Sequence, residues 1–489
     1  MAGSIKRNYV YNLAYQILTL ITPFITTPYV ARVFSPKSIG LQSFAFSLSQ
    51  SLGMFAGLGI IIYGAREISY AQDDRKRRTQ VFWELQLLYL ITSSVCLAVY
   101  LMIVMFFIKH DYALFFILIM NVTSIFSCIF LFSGMEEFGK IVSRQVIFKI
   151  LDIFFIFTFI KKETDLPLYV FASVFSGILV NITLFFEVHK YVDWPDWKFL
   201  KSLRPFRDVK VIFSLFLPTV ATQVYYILDK VMLGFIAEGT AESGYYELAL
   251  RISRMPLMVV ASLSTVVIPR IGHLFKLQED EIVQSYIYRS FKFAWFASVP
   301  LCFGLIAVSD NFTAWFFGAG YSKVAELLKI SSFILIIVGL SNVCGGQYMI
   351  PTGRQNKYTL TLTTGAVVNF TLNLCLIPNF YSYGALIASV LAELSILLTQ
   401  LYFLRKEFSI RQIISSGFSY LFAGLVMFAG LKSFSYKLPS NPLGTAIIVS
   451  AGALIYFGVL LIFRDEFFIF YSQRTINFIK RKSREILRF

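Results

Sequence analysis

Glu247, Arg251 and Arg254 carry the sharpest chemistry in this chain. Their i, i+4 and i, i+7 spacing puts all three on one face of a helix. Two guanidiniums on one face suit bidentate binding of a phosphate. The plainer arrangement pairs Glu247 with Arg251 along the helix and sends Arg254 to a carboxylate elsewhere, but the Glu247 pair still leaves one arginine over. Counted from Gly244 at ~1.5 Å per residue, Arg254 lies about 15 Å along the helix, near the middle of a ~30 Å hydrocarbon layer. A charge at that depth costs about 2.5–3.5 kcal/mol on insertion scales. A water-filled cationic cavity answers that cost.

Asp229 and Lys230 are neighbours on the preceding apolar stretch and diverge by ~100°, so they need not pair and one of them faces the interior. Arg32 closes the first stretch, as a cavity-lining cation or as an interfacial anchor. Asn369 and Asn373 stand one turn apart. Glu393 sits on the next stretch beyond the turn Asn379–Tyr383, and both Glu393 and Asn369 fall about 14 Å from that turn. A carboxylate beside two amide oxygens could hold a sodium ion or a proton, with Glu247 as a further coupling carboxylate. The same residues could equally form a hydrogen-bonded clamp between helices. Lys149 and Asp152, at i and i+3, read as a local ion pair. Beyond the sodium option, no metal site is expected from spacing. Cys96, Cys128, Cys302, Cys344 and Cys375 form no CxxC pair and read as buried hydrophobes.

The elements that position these residues are membrane spans. The 489 residues are 57% hydrophobic and only 15% charged, with a mean hydropathy of +0.69. Soluble domains carry nearer a quarter charged residues. Apolar runs predict an all-α polytopic membrane protein with about fourteen spans: 10–31, 39–63, 81–108, 112–133, 146–160, 166–187, 211–236, 244–268, 290–308, 324–350, 358–378, 384–404, 412–432 and 444–463. Roughly thirty of the 44 basic residues then fall on the side of the N-terminus, which makes both termini cytoplasmic. Lys6 and Arg7 precede a run too long for a cleaved leader, so the first span is expected to be the targeting signal.

The net charge of +16 is accounted for by these inner joints, and nucleic-acid binding is not expected. Residues 191–210, with Trp194 and Trp197, read as an amphipathic cytoplasmic connector. It separates an N-terminal six-helix bundle (1–190) from a second (211–408), followed by two extra helices (409–464) and a basic tail (465–489). Each half opens with a proline-bearing helix (Pro23 and Pro28; Pro218) and a short outer joint ending in glycine (Gly40; Gly244). Duplicated halves are a common transporter plan, with the site between them. There is no P-loop, HExxH or GxSxG. The Asn-x-Thr triplets at Asn121, Asn181, Asn311 and Asn369 lie mostly within spans and read as chance. Gly53, Gly57 and Gly59 read as a helix-packing stripe.

Several runs resemble the Wzx-type polysaccharide flippases. They are ITTPYVARVFSPKSIG with LQSFAFSLSQ, LGIIIYGAREISYAQDD, DKVMLGFIAEGTAESGYYELALRI, LSTVVIPRIG, MIPTGRQNKY, TTGAVVNFTLN and GALIASVLAE. The resemblance spans the first twelve helices in order. It implies the multidrug/oligosaccharidyl-lipid/polysaccharide exporter fold, two six-helix bundles in a V around a central cationic cavity. It implies, too, a cargo: an oligosaccharide repeat unit on undecaprenyl pyrophosphate, moved from the inner to the outer leaflet of a bacterial cytoplasmic membrane. In related lipid II flippases a cation site lies among helices 7, 11 and 12, the helices that here carry Asp229, Asn369 and Asn373.

A flippase, not an enzyme, is therefore expected, serving O-antigen, capsule or exopolysaccharide synthesis by alternating access. No cofactor is needed beyond proton or sodium coupling or the membrane potential. Membrane lipids are its surroundings, and a polysaccharide polymerase and chain-length proteins are its expected partners. The rivals are a drug/cation antiporter of the same fold, a lipid II or teichoic-precursor flippase, and an integral membrane glycosyltransferase or polymerase. Antiporters of the fold tend to keep an acid in the first helix, and none stands between Asn8 and Phe34. A polymerase needs a sizeable outer loop, and the outer joints are short.

Overall fold

Helices account for nearly all of the computed structural model, which describes residues 2–108, 112–119, 127–237 and 239–470. Asn121, the middle of the expected span 112–133 and the basic tail from Arg474 to Arg488 lie outside the described residues, as does the side chain of Pro218. By its contacts the chain divides into two units, Met1–Gly244 and Tyr245–Phe489.

Unit 1 starts with helix Ala2–Val33. The next helix, Pro36–Gly57, has Pro36 in its first turn and is capped by the Ser35 hydroxyl, which accepts from the Ser38 amide. Leu58 and Gly59 then adopt left-handed backbone, so this span breaks and resumes as Ile60–Tyr70. The expected glycine stripe is thus not a packing surface throughout. A Cβ on Gly57 would meet nothing within 4 Å, while Gly59 turns the chain against Ile212 and Phe216. Arg75–Phe107, Phe138–Phe159, Leu166–Phe185 and Val209–Ile236 complete the long helices of this unit. Phe82, Phe130, Phe132 and Leu184 form its core. The connector holds the short helix Trp197–Ser202, with Trp194 and Trp197 exposed.

Helix Val209–Ile236 groups with unit 1, whereas the sequence division at 191–210 assigns it to the second half. The cause is a close approach. A Cβ on Gly234 would stand 2.0 Å from the Phe44 ring, so the helix rests directly on Pro36–Gly57. Glu84, on helix Arg75–Phe107, accepts from the Arg204 amide and lies 3.4 Å from the Arg207 guanidinium, which ties the end of the connector to the same unit.

Unit 2 contains Asp280–Phe316, Ser322–Ser331, Phe333–Asn342, a π-helical turn Val343–Met349, Gln355–Leu404, Phe418–Ser435 and Pro442–Ile462. Its core gathers around Phe291, Trp295, Val299, Met427 and Tyr456, with the Trp295 indole donating to the Ile413 carbonyl at 3.0 Å. The run Gln355–Leu404 is two helices folded back at Tyr381, whose φ of 48° and ψ of −125° are not helical. Pro378 weakens the ladder just before the fold. Gly384 is required just after it, since a Cβ there would stand 2.5 Å from the Leu376 carbonyl oxygen.

Among the described residues, eight helical segments are long and apolar enough to cross a membrane, or nine if the bent pair Ala241–Ala261 and Val266–Lys276 is one span. The span expected over 244–268 is not continuous. It is broken into Ala241–Arg254, Leu257–Ala261 and Ser264–Lys276. Pro256 has no N–H to continue the first segment, and its ring crowds the preceding turn. Many large apolar side chains stay exposed at the periphery, Phe106, Phe154 and Leu454 among them. Closed helices with an apolar exterior are what hydrocarbon surroundings demand.

Candidate functional site

The broken helix places the arginines. Tyr246 is fully buried, and its hydroxyl stands 2.9 Å from the Ser389 hydroxyl on the second arm of the folded hairpin. That contact turns the Tyr246 face of Ala241–Arg254 into the unit. Leu248, Ala249, Leu250 and Ile252 are buried with it, whereas Glu247, Arg251 and Arg254 are each half-buried on one open face. The Arg251 guanidinium lies 2.8 Å from Glu247 Oε1, so the pairing open in the sequence is made. Arg251 and Arg254 occupy the last turn before the break, where the helix dipole favours cations. Just past the break, Pro256 and Val259 line an apolar groove of about 440 Å³ with Phe296, Pro300, Gly452 and Tyr456.

The hairpin places the amides and the acid. A Cβ on Gly365 would stand 2.4 Å from the Ile396 side chain and 3.4 Å from the Ala392 carbonyl oxygen, which sets the register of the two arms. One helical turn beyond Gly365 is Asn369, and beside Ala392 is Glu393. Asn369 and Asn373 are fully buried, and Glu393 is 4% exposed. The Asn373 amide donates to Asn369 Oδ1 at 3.1 Å. The Asn369 amide nitrogen has no hydrogen-bond partner.

Asp229 is 1% exposed and Lys230 half-buried, both on helix Val209–Ile236 of unit 1, while the two asparagines and Glu393 belong to unit 2. Arg32 is exposed in the last turn of helix Ala2–Val33. Lys149 Nζ lies 3.2 Å from Asp152 Oδ2, the local pair expected. Asn311 is buried, donates to the Pro439 carbonyl and accepts from Thr445, so it is a structural residue. Four of the five cysteines are buried or half-buried, but Cys375 is exposed, contrary to expectation, because it lies on an outer face of the hairpin.

Sequence reasoning missed a second polar cluster in unit 2. The π-helical turn brings Gly345 against Tyr358 and Gln400, and Gln400 accepts from the Ser341 hydroxyl at 2.9 Å. Nearby, Ser264 donates to Asn342 and accepts from Gln347. Polar residues in an apolar run were the available signal. At the end of this region Glu407 accepts from both Tyr348 and Arg354. Burial pulls the Arg354 guanidinium down, and the Glu407 carboxylate more than offsets this, holding it above its ordinary value.

Residues 5–275, more than half of the chain, match the family described as polysaccharide biosynthesis protein. The chain belongs to that family. A relative in Escherichia coli (strain K12), named "Putative O-antigen transporter", is 22% identical over 412 residues, covering 83% of this chain and 97% of the relative. A solved structure of the lipid II flippase MurJ in an inward closed conformation superposes with a TM-score of 0.72 at 16% identity, covering 94% of this chain and 99% of that one. An inward-facing multidrug resistance MATE family transporter of the MOP superfamily follows, with a TM-score of 0.60, 14% identity and coverage of 84% and 95%. These likenesses show the fold, an all-α arrangement like that of the MurJ and MATE structures, and the long apolar helices make it a multi-pass membrane protein.

Proposed function

We propose that this family member is a flippase for lipid-linked oligosaccharides in polysaccharide biosynthesis. The observation that carries the reading is the half-open face of Glu247, Arg251 and Arg254 at the end of a broken helix, with an apolar groove on the segment that follows. An anionic head group and an apolar tail need those two surfaces side by side. Two guanidiniums on one face suit pyrophosphate and disfavour a cationic drug. The family membership and the O-antigen relative support the same class.

The finer reading is an undecaprenyl-pyrophosphate oligosaccharide carried outward across a bacterial inner membrane by fourteen spans with both termini inside. Two halves would alternate access. The sugars and pyrophosphate would travel in a wet cavity while the tail stays in lipid, and no bond is made or broken. Lys230 and Arg32 are further candidate head-group contacts. Asp229, Asn369, Asn373 and Glu393 are candidates for a coupling sodium or proton, with Glu247 as a further acid. An inside-negative potential adds about 2.3 kcal/mol per unit charge per 100 mV to outward movement of an anion. A polymerase and chain-length proteins would take the product onward.

Complementation of a flippase-null strain tests this, with surface polysaccharide as the readout. Wild type is expected to restore it, Arg254→Ala to abolish it and Arg254→Lys to restore it partly. Full restoration by Arg254→Ala at equal membrane abundance would remove the phosphate contact from the proposal.

A further inference from the structure

At one end of unit 2, helix Asp280–Phe316 stops and the chain turns through Phe317–Tyr321 into helix Ser322–Ser331. Gly318 and Gly320 hold φ of 90° and 91°, a backbone that side chains rarely tolerate. Phe317 and Tyr321 are buried beneath the turn with ring centroids 5.7 Å apart, and the Tyr245 hydroxyl donates to the Gly320 carbonyl at 3.3 Å. The turn is therefore fixed, and it walls a depression of about 320 Å³. Ligand pockets begin at about that size.

We propose that this depression is a saccharide subsite, lined by Asp310, Thr313, Gly318, Gly320 and Ser322. The inference rests on the oligosaccharide-carrier reading, and on the orientation proposed there this end faces outward. The lining is small, three alanines and two glycines beside Asp310, Thr313 and Ser322, with no aromatic or long aliphatic side chain, so it offers a lipid tail little to bury against. Its charge is balanced: Asp310 Oδ1 lies 2.8 Å from Lys329 Nζ, and the carboxylate is otherwise open, 70% exposed. A pyrophosphate finds no excess of positive charge there. A sugar hydroxyl both donates and accepts, and the open carboxylate oxygen and the hydroxyl of exposed Ser322 match that inventory.

Thr313 is the second, independent mark. It is 2% exposed, it lines the depression, and its hydroxyl oxygen has no hydrogen-bond partner. A buried hydroxyl left unmatched is costly, and a turn of this side chain toward a ligand hydroxyl would remove that cost.

The test uses the full chain in nanodiscs and saturation-transfer NMR with methyl glycosides of a hexose, a 6-deoxyhexose, an N-acetylhexosamine and a hexuronate. Transfer to at least one glycoside is expected, weakened at least five-fold by Asp310→Asn and by Ala314→Phe, which fills the depression from an exposed position. Monodisperse variants with wild-type thermal stability keep the comparison valid, and Ser322→Ala serves in place of either variant that misfolds. No transfer to any glycoside, or transfer that survives these substitutions, overturns the subsite. Leaflet transfer of a lipid-linked oligosaccharide, measured separately in vesicles, judges the carrier: transport without glycoside binding sinks the subsite alone, and glycoside binding without transport sinks the carrier alone.

Discussion

Gly40 and Gly244 meet backbone to backbone: a Cβ on Gly244 would stand 2.8 Å from the Gly40 nitrogen, and one on Gly40 would stand 1.6 Å from the Thr240 carbonyl oxygen. These are the glycines that end the first outer joint of each proposed half. The Thr240 hydroxyl adds a hydrogen bond to the Lys37 carbonyl at 2.9 Å. Neither site has room for a methyl group, because the neighbouring atoms are backbone and cannot swing away. Gly40→Ala is expected to destabilise the protein by about 1–3 kcal/mol, as overpacking does. Gly57→Ala, in open space, is expected to be neutral or slightly stabilising. Thermal unfolding of both variants in detergent checks the contrast, and equal midpoints would refute the close contact.

The Arg251–Glu247 pair predicts coupled effects on transport. Arg251 is partly neutralised by Glu247 at 2.8 Å and its side chain is 31% exposed, so removing it takes away less net positive charge than its position suggests. Glu247→Gln should release that charge: transport near wild type or above it assigns Glu247 a neutralising role, and lost ion dependence assigns it the coupling role. Arg251→Ala should lower transport. A double-mutant cycle on initial rates in vesicles measures the coupling. Additive effects of Glu247→Gln and Arg251→Ala would show that the pair does not act as a unit.

Much of this arrangement is legible in the chain. The hairpin around Tyr381 follows from Pro378 and Gly384 between two apolar runs, and the shared face of Glu247, Arg251 and Arg254 follows from helical spacing. The break after Arg254 is not, although Pro256 is visible, because apolar residues resume directly beyond it and hydropathy averages across the gap. The π-helical turn cannot be read at all. Gly345 takes its place through contact with Tyr358 and Gln400, on other helices, and no local pattern encodes that. Tyr246 escapes for a related reason, since a tyrosine in an apolar run reads as core until its hydroxyl is seen to meet Ser389.

Glu407 holds two donors, Tyr348 and Arg354, at one end of unit 2. Both partners of the ion pair are part-exposed, so solvent screens it and its contribution is at most about 1 kcal/mol. Glu407→Gln keeps the acceptor oxygen and loses only the charge, whereas Glu407→Ala loses both hydrogen bonds. The alanine variant is expected to unfold at the lower temperature of the two. Arg354→Ala should add little to Glu407→Ala, and a full second loss would mean that the arginine is held by something else.

Glu393 separates the two readings of the buried hairpin. If Glu393, Asn369 and Asn373 form a coupling site, transport depends on external sodium or on pH, and Glu393→Gln abolishes that dependence while the protein stays folded. If they form a clamp between helices, the same substitution leaves the ion dependence intact and changes stability alone. Asn369→Ala sharpens the comparison: its side-chain oxygen accepts from Asn373 at 3.1 Å, so its loss should weaken both the clamp and any ion bound there. The expected outcome is loss of ion dependence in both variants, with a larger fall in unfolding temperature for Asn369→Ala. Rates measured in vesicles with sodium and pH varied on one side decide it, and an ion dependence unchanged in Glu393→Gln leaves the hairpin a structural clamp.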